Sequence, residues 1–360
     1  MHPKTLILLL LLALAWPAAS QQTPTVVGDD GEVRSLLLAL DRQEKYLQTK
    51  GAASLRLGSR RVTKAHALAT VRELRKLVLA KHGRADFGAE LARRFEIVRV
   101  ADDALFTAYH SPLLRVSRQR STAYPVPILG RPADIVARKG KVYRRVAGKL
   151  TSAPTRAEIT DGAYDPARHA VAWTENSVSY YYAQIQGSAM ALFPDGTRRT
   201  LLYNGNNGHP YVSVENDILK AVPAAQRPGG YLGLRRYMRA HPEVAERFFR
   251  RNPRYIFFKL SDRPPAGMAN SPLTAKRSIA TDKRYYSAGL VGLVTFPEPR
   301  HTPTGVAKRN VRYIVADVDT GAAIKGPSRV DIYFGEGSVE QLFAAGLKDK
   351  GTLSYLLLRR

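Results

Sequence analysis

The chain of 360 residues contains no cysteine. That absence excludes disulfides, zinc–thiolate sites, a thiol nucleophile and a lipid-modified cysteine. Carboxylates are scarce as well: 30 Asp and Glu stand against 56 Lys and Arg, for a formal net charge of +26. His2, His66, His82, His110, His169, His209, His241 and His301 are scattered without HxH, HxxxH or HExxH spacing. No metal site is expected from them. There is no GxSxG elbow for a serine nucleophile. The glycines of Gly321 to Gly326 fail as a phosphate cradle, because Pro327 stands where that cradle needs its lysine. No cofactor is expected. Beyond residue 20, no run is apolar enough to span a bilayer.

What is present has a globular profile, 44% hydrophobic and 24% charged, with length enough for two domains. The positive charge favours a polyanionic partner. Met1 to Lys4 is weakly basic, Leu6 to Trp16 is apolar, and Pro17 to Ser20 is small. This is the pattern of a secretory signal peptide over 1–20, with cleavage after Ser20. The apolar stretch is about eleven to fourteen residues, short of the roughly 20 that cross a membrane; an uncleaved anchor is the competing reading. Export to the periplasm or bacterial cell envelope follows, without a lipid anchor and without a transmembrane segment in the mature chain. It argues against nucleic acid as the partner, and a monomer is expected.

Apolar spacing predicts helices over 33–49, 63–83, 86–94 and 228–250, with Thr63 as a cap and Gly83 as a stop. After Arg94 short β-branched and aromatic runs alternate with turn residues. The turn Pro194-Asp195-Gly196 predicts a hairpin of 178–193 with 198–203, which would place Tyr180, Tyr181 and Tyr182 alternately across a strand. The stretches 261–276 and 297–308 read as connectors. The fold class is mainly β with α, an α+β or barrel architecture.

Between Arg277 and Gly337 the only acids are Asp282, Glu298, Asp317, Asp319, Asp331 and Glu336. Asp331 lies in the strand-like run Val330, Ile332, Tyr333, Phe334, where it shares a face with Tyr333. An acid in such company is a candidate for the raised pKa that a general acid requires. Lys325 and Arg329 oppose that shift, and the net sign is open. For any single aspartate a turn cap or a surface ion pair is the competing reading.

Seven segments taken together resemble the MltA-type lytic murein transglycosylases with their C-terminal three-aspartate domain. They are FTAYHSP (106–112), IQGSA (185–189), YNGNNGHPYVSV (203–214), RNPRYIFFK (251–259), SPLTAKRSIATDKRYY (271–286), DTGAAIKGPSRVDIYFG (319–335) and AAGLKDKGTLSYLLL (344–358). The chain departs from the family at Ala108, His110, Ala189 and Ser287, where Gly, Tyr, Gly and Pro are usual. The resemblance implies a double-psi β-barrel domain formed from two chain segments, 21–112 and 263–360, together with N-terminal helices. A second β-barrel domain, 113–262, would be inserted between them, with the substrate groove between the two.

By the same resemblance the partner is a peptidoglycan glycan strand, and the activity is that of a lyase-type exotransglycosylase. It would cleave the β-1,4 bond between N-acetylmuramic acid and N-acetylglucosamine and leave a 1,6-anhydro ring. Asp331 would be the single general acid and base. Asp319 would stabilise positive charge or raise the pKa of Asp331, and Asp282 would hold the site's hydrogen bonds. Phe106, Thr107, Tyr109, Gln186, Gly187, Ser188, Asn206, Asn207, Tyr211 and Lys325 are the implied substrate contacts, although Asn206-Asn207-Gly208 also reads as a tight turn. The alternatives are a catalytically reduced peptidoglycan-binding scaffold of the same fold, or a polysaccharide hydrolase. The cationic surface would hold the enzyme on the acidic cell wall in a salt-dependent way.

Overall fold

The computed structural model describes residues 27–222, 230–302, 305–337, 344 and 346–360. The expected signal peptide lies outside them. The first three predicted helices are Val33–Thr49, Lys64–Lys81 and Phe87–Arg94. Thr63 caps the second, its hydroxyl accepting from the His66 amide at 3.2 Å. Leu36, Leu40 and Leu47 of the first helix are buried, as are Val71, Leu74 and Val78 of the second. These stripes join one core with the barrel that follows.

That barrel is closed and has six strands. In spatial order they are Ser278–Ala280, Gly305–Asp319, Leu290–Thr302, Lys348–Leu358, Phe95–Ser111 and Arg329–Glu336. One strand thus precedes the insert and five follow it, which agrees with the expected double-psi barrel class. Ser278–Ala280 runs parallel to Gly305–Asp319, and Arg329–Glu336 runs parallel to Phe95–Ser111; the other neighbours are antiparallel. Phe106 and Phe296 stack in the core with ring centroids 5.1 Å apart. The stretch 297–308, expected to be a connector, instead belongs largely to the long antiparallel pair Leu290–Thr302 and Gly305–Asp319.

Pro112 stands where the chain leaves the barrel. The next strand, Leu113–Ser117, belongs to a six-stranded sheet ordered Ile256–Ser261, Arg198–Asn206, Ser188–Leu192, Leu113–Ser117, Ala170–Thr174, Val126–Leu129. The hydrogen-bond ladder of this sheet is open, but its two edge strands, Ile256–Ser261 and Val126–Leu129, lie against each other, so the sheet curls round in the manner of the expected second barrel. Part of the predicted hairpin is different. Ser177–Gln186 is a helix, and only Ser188–Leu192 pairs with Arg198–Asn206. Local capping explains the change: the Asn176 side chain accepts from the Ser179 amide, and Gly187 ends the helix at φ 80°. Tyr180, Tyr181 and Tyr182 are therefore all buried on a helix. Gly230–Ala240 and Pro242–Phe249 pack beside it through Leu234, Met238, Phe248 and Phe249.

Candidate active site

Alternation along Phe95–Ser111 decides which side chains reach the space between barrel and insert. Phe106 points into the core, while Thr107 and Tyr109 face the other way. The neighbouring parallel strand sets Asp331 opposite Thr107 and Tyr333 opposite Tyr109. Asp319 enters from the far side, at the end of Gly305–Asp319. Thr107, Tyr109, Asp319, Asp331 and the loop Thr320–Ile324 form one wall of a groove with a cavity of about 300 Å³. The other wall is contributed by Arg156, Gln184, Ile185, Gln186, Gly187, Tyr203, Tyr211, Asn252, Arg254 and Ile256 of the insert.

The hydrogen bonds around Asp331 have a fixed polarity. Arg329 Nη2 donates to Thr107 Oγ1 at 2.7 Å. Arginine has no acceptor, so the Thr107 hydroxyl hydrogen is directed to Asp331 Oδ1, 2.5 Å away. An acid proton on Asp331 therefore belongs on Oδ2. Burial raises its pKa, opposed by the Thr107 bond and the Arg329 charge. The net direction, open from sequence, is upward.

Asp319 accepts from Tyr109 Oη at 2.6 Å and from the Thr320 amide at 2.8 Å. Burial nevertheless pushes its pKa up to about 6, with the Asp331 charge adding in the same direction. Asp317, close by in sequence, is fully buried and bound by Lys283, Thr281 and Tyr355.

Several residues expected at the site lie elsewhere. Asp282 does not line the groove. Its carboxylate binds Arg284 Nη2 at 2.6 Å and the Gly326 amide at 2.8 Å, and the Arg284 bonds hold its pKa well below the usual range despite burial. It anchors the loop that follows Asp319. Lys325 is exposed on that loop and does not face the groove. Phe106 is excluded from substrate contact by its place in the core. Ser188 is buried, bonded to Ser111, which also bonds the Tyr333 hydroxyl. Asn207 is buried too: its amide donates to the carbonyls of Pro154 and Pro253 and its oxygen accepts from the Tyr255 amide, all at 2.8 Å. Asn206 accepts from the Gly208 amide at 2.7 Å, within a turn where Gly205 and Gly208 have φ of 110° and 80°. The turn reading of this run is the one the structure supports.

Thr107, Tyr109, Gln186, Gly187, Tyr211, Asp319 and Asp331 are brought together. Gln186 Oε1 accepts from the His110 amide at 3.0 Å, which ties the groove's two walls to each other. The His110 ring is buried behind the groove, and burial lowers its pKa to about 4. Arg156, Gln184, Tyr203, Asn252 and Arg254 were not anticipated as lining residues. Tyr203, Asn252 and Arg254 fall within the runs YNGNNGHPY and RNPRYIFFK, which were the available sequence signal. Arg156 and Gln184 carried none.

Residues 105–259 match the MltA specific insert domain, and residues 277–357 match the 3D domain. Membrane-bound lytic murein transglycosylase A of Vibrio cholerae is 27% identical over 252 residues, which are 69% of this chain and 64% of that relative. The match thus spans less than two thirds of the relative's length. Among solved structures, a membrane-bound lytic murein transglycosylase from Agrobacterium tumefaciens superposes with a TM-score of 0.76 at 23% identity, covering 92% of this chain and 94% of that one. E. coli MltA with bound chitohexaose gives a TM-score of 0.72 at 20% identity, covering 94% and 93%. These likenesses establish the fold.

Proposed function

Because the chain belongs to the MltA family, with that family's insert followed by its 3D domain, we propose that it is a lytic murein transglycosylase. Its substrate groove lies between the barrel-bearing domain, drawn from segments 21–112 and 263–360, and the insert, residues 113–262. The observation that carries this reading is the placement of Asp331. It is a groove-facing carboxyl made more basic by burial, with one oxygen held by Thr107 and the other left for substrate.

The reaction needs one proton and returns it. Protonated Asp331 gives its proton to the glycosidic oxygen as the bond to the muramyl anomeric carbon breaks. The muramyl C6 hydroxyl attacks that carbon and gives up its proton to the Asp331 carboxylate. The enzyme regains its starting state and no water is consumed. Positioned acid–base assistance of this kind contributes about 10²–10⁴ in rate. Ionised Asp319, aimed by Tyr109 and Thr320, stabilises positive charge at the anomeric carbon. Gln186, Tyr203 and Tyr211 offer amide, hydroxyl and aromatic surfaces to the sugars. Among the described residues no helix is long and apolar enough to cross a membrane. Export as a monomer to the cell envelope completes the reading.

The test is digestion of purified sacculi followed by mass analysis. Anhydro-muramic ends are expected from the wild type and none from Asp331→Asn of normal fold. Reducing ends formed with water would identify a hydrolase. Binding without any cleavage would identify a scaffold.

A further inference from the structure

The insert wall of the groove holds two cations that the acid–base chemistry does not use. Arg156 is buried; its Nη1 donates to Gln184 Oε1 and its Nη2 to the Arg254 carbonyl, both at 2.6 Å. Its guanidinium carbon lies 4.7 Å from the Tyr181 ring centroid and 5.2 Å from that of Tyr255, and its Nε has no partner. Arg254 is half-buried. Its Nη1 donates to the His209 carbonyl at 3.0 Å, the one hydrogen bond of that guanidinium among the described residues. Neither arginine forms an ion pair with a carboxylate among the described residues. The acids of the groove, Asp319 and Asp331, belong to the opposite wall. Burial makes the charged form of both arginines harder to hold. Desolvated cations without a counter-ion are costly, and a carboxylate arriving in the groove would relieve that cost.

We propose that Arg254, backed by Arg156, forms a carboxylate-binding subsite for the acidic lactyl-peptide branch of the muramyl sugar. The proposal rests on the murein reading above and adds to it a reason for preferring acidic strands over neutral polysaccharide. The planar fork of arginine matches a carboxylate through paired N–H bonds, and Arg254 keeps Nε and Nη2 for that purpose. The carboxylate has two possible sources, the amino acids of the stem peptide or the lactyl group itself.

Binding of soluble glycan strands is measured with Asp331→Asn protein, so that strands are not consumed, and with the same protein also carrying Arg254→Gln. The strands have intact stems, or are stripped by an amidase to leave the free lactyl carboxylate; each preparation is used as it is and after its carboxylates are amidated. Amidation is expected to weaken binding to the Arg254 protein about tenfold or more, the size of a charge-assisted hydrogen bond. It should leave the Arg254→Gln protein much less affected. An effect confined to intact strands identifies the stem carboxylates, and one that persists in stripped strands identifies the lactyl group. Arg254→Lys, which keeps the charge without the fork, should fall between the two and serves if Arg254→Gln does not fold. Equal losses on amidation with and without Arg254 would reduce the effect to general surface attraction and overturn the proposal. Indifference to amidation would also overturn it, while leaving the murein reading intact. Failure to bind any strand would overturn both.

Discussion

Asp319 and Asp331 are both register partners of Ala280, one on each side of it. The two carboxylates of the groove therefore stand on strands with one short strand between them, roughly 10 Å apart at the level of the backbone. A hydrogen bond reaches one oxygen of Asp331, from Thr107, whereas both oxygens of Asp319 accept, from Tyr109 and the Thr320 amide. The arrangement suits one residue that carries the proton and another that acts through its charge.

That division makes the pH profile informative. Asp319 is to act ionised, so the rate should fall as pH drops through about 6, where it takes up a proton. Tyr109→Phe removes a bond that favours the ionised form, so the acidic limb should move to higher pH and the rate near pH 6 should fall several-fold. Rate–pH curves for wild type and Tyr109→Phe check this. An unmoved limb would separate it from Asp319.

Stability should carry the mark of the same carboxyl. Its folded pKa of about 6 lies above the ordinary 3.8. The folded state thus holds the proton more tightly than the unfolded one. The stabilisation from that proton is complete below the unfolded pKa and is lost as pH rises through about 6, a difference of up to about 3 kcal/mol. Asp319→Asn should remove its share of this slope and leave the part that comes from Asp331 and Asp317, whose pKa values burial also raises. Denaturant unfolding of both proteins between pH 4 and 7 is the measurement.

Asp29 is expected to be a stability residue. It binds the fully buried Arg277, His82 and the Ile314 amide. Burial alone would raise its pKa, but these partners outweigh it and the net shift is downward. Asp29→Ala leaves Arg277 buried without its counter-ion and should cost about 3–5 kcal/mol in urea unfolding. The stabilisation is present above the unfolded pKa and is lost as acid protonates the folded carboxyl.

Asn207 separates structural from substrate roles. Asn207→Ala breaks three buried hydrogen bonds and leaves the Tyr255 amide without that acceptor. A loss of about 2–4 kcal/mol is expected, with the midpoint of thermal unfolding falling accordingly. A KM effect without loss of stability would restore Asn207 as a sugar contact.

Helices were legible where the signal was local. The stripe Val71, Leu74, Val78 and the cap at Thr63 needed no tertiary information, and the helix is there. Tyr180 to Tyr182 misled because three aromatic residues in a row suit a strand, while the decisive caps, Asn176 and Gly187, stand outside the run. Phe106 and Thr107 show the limit at the site. A motif names both, but only the pleat sends one into the core and the other to Asp331. Asp282 was legible as part of a pattern, yet its ties to Arg284 and Gly326 place it behind a loop.

By itself the sequence determined the chemistry that was possible: no thiol, few acids, a large positive charge, and the aspartates from which an acid and base could be drawn. The tertiary structure decided which of them meet. Thr107 and Asp331 are 224 residues apart in the chain, and Tyr109 and Asp319 are 210 apart. Caps and side-chain periodicity are set by neighbours a few residues away. Strand pairing, burial and the pKa shifts that follow depend on the closure of a barrel around a long insertion.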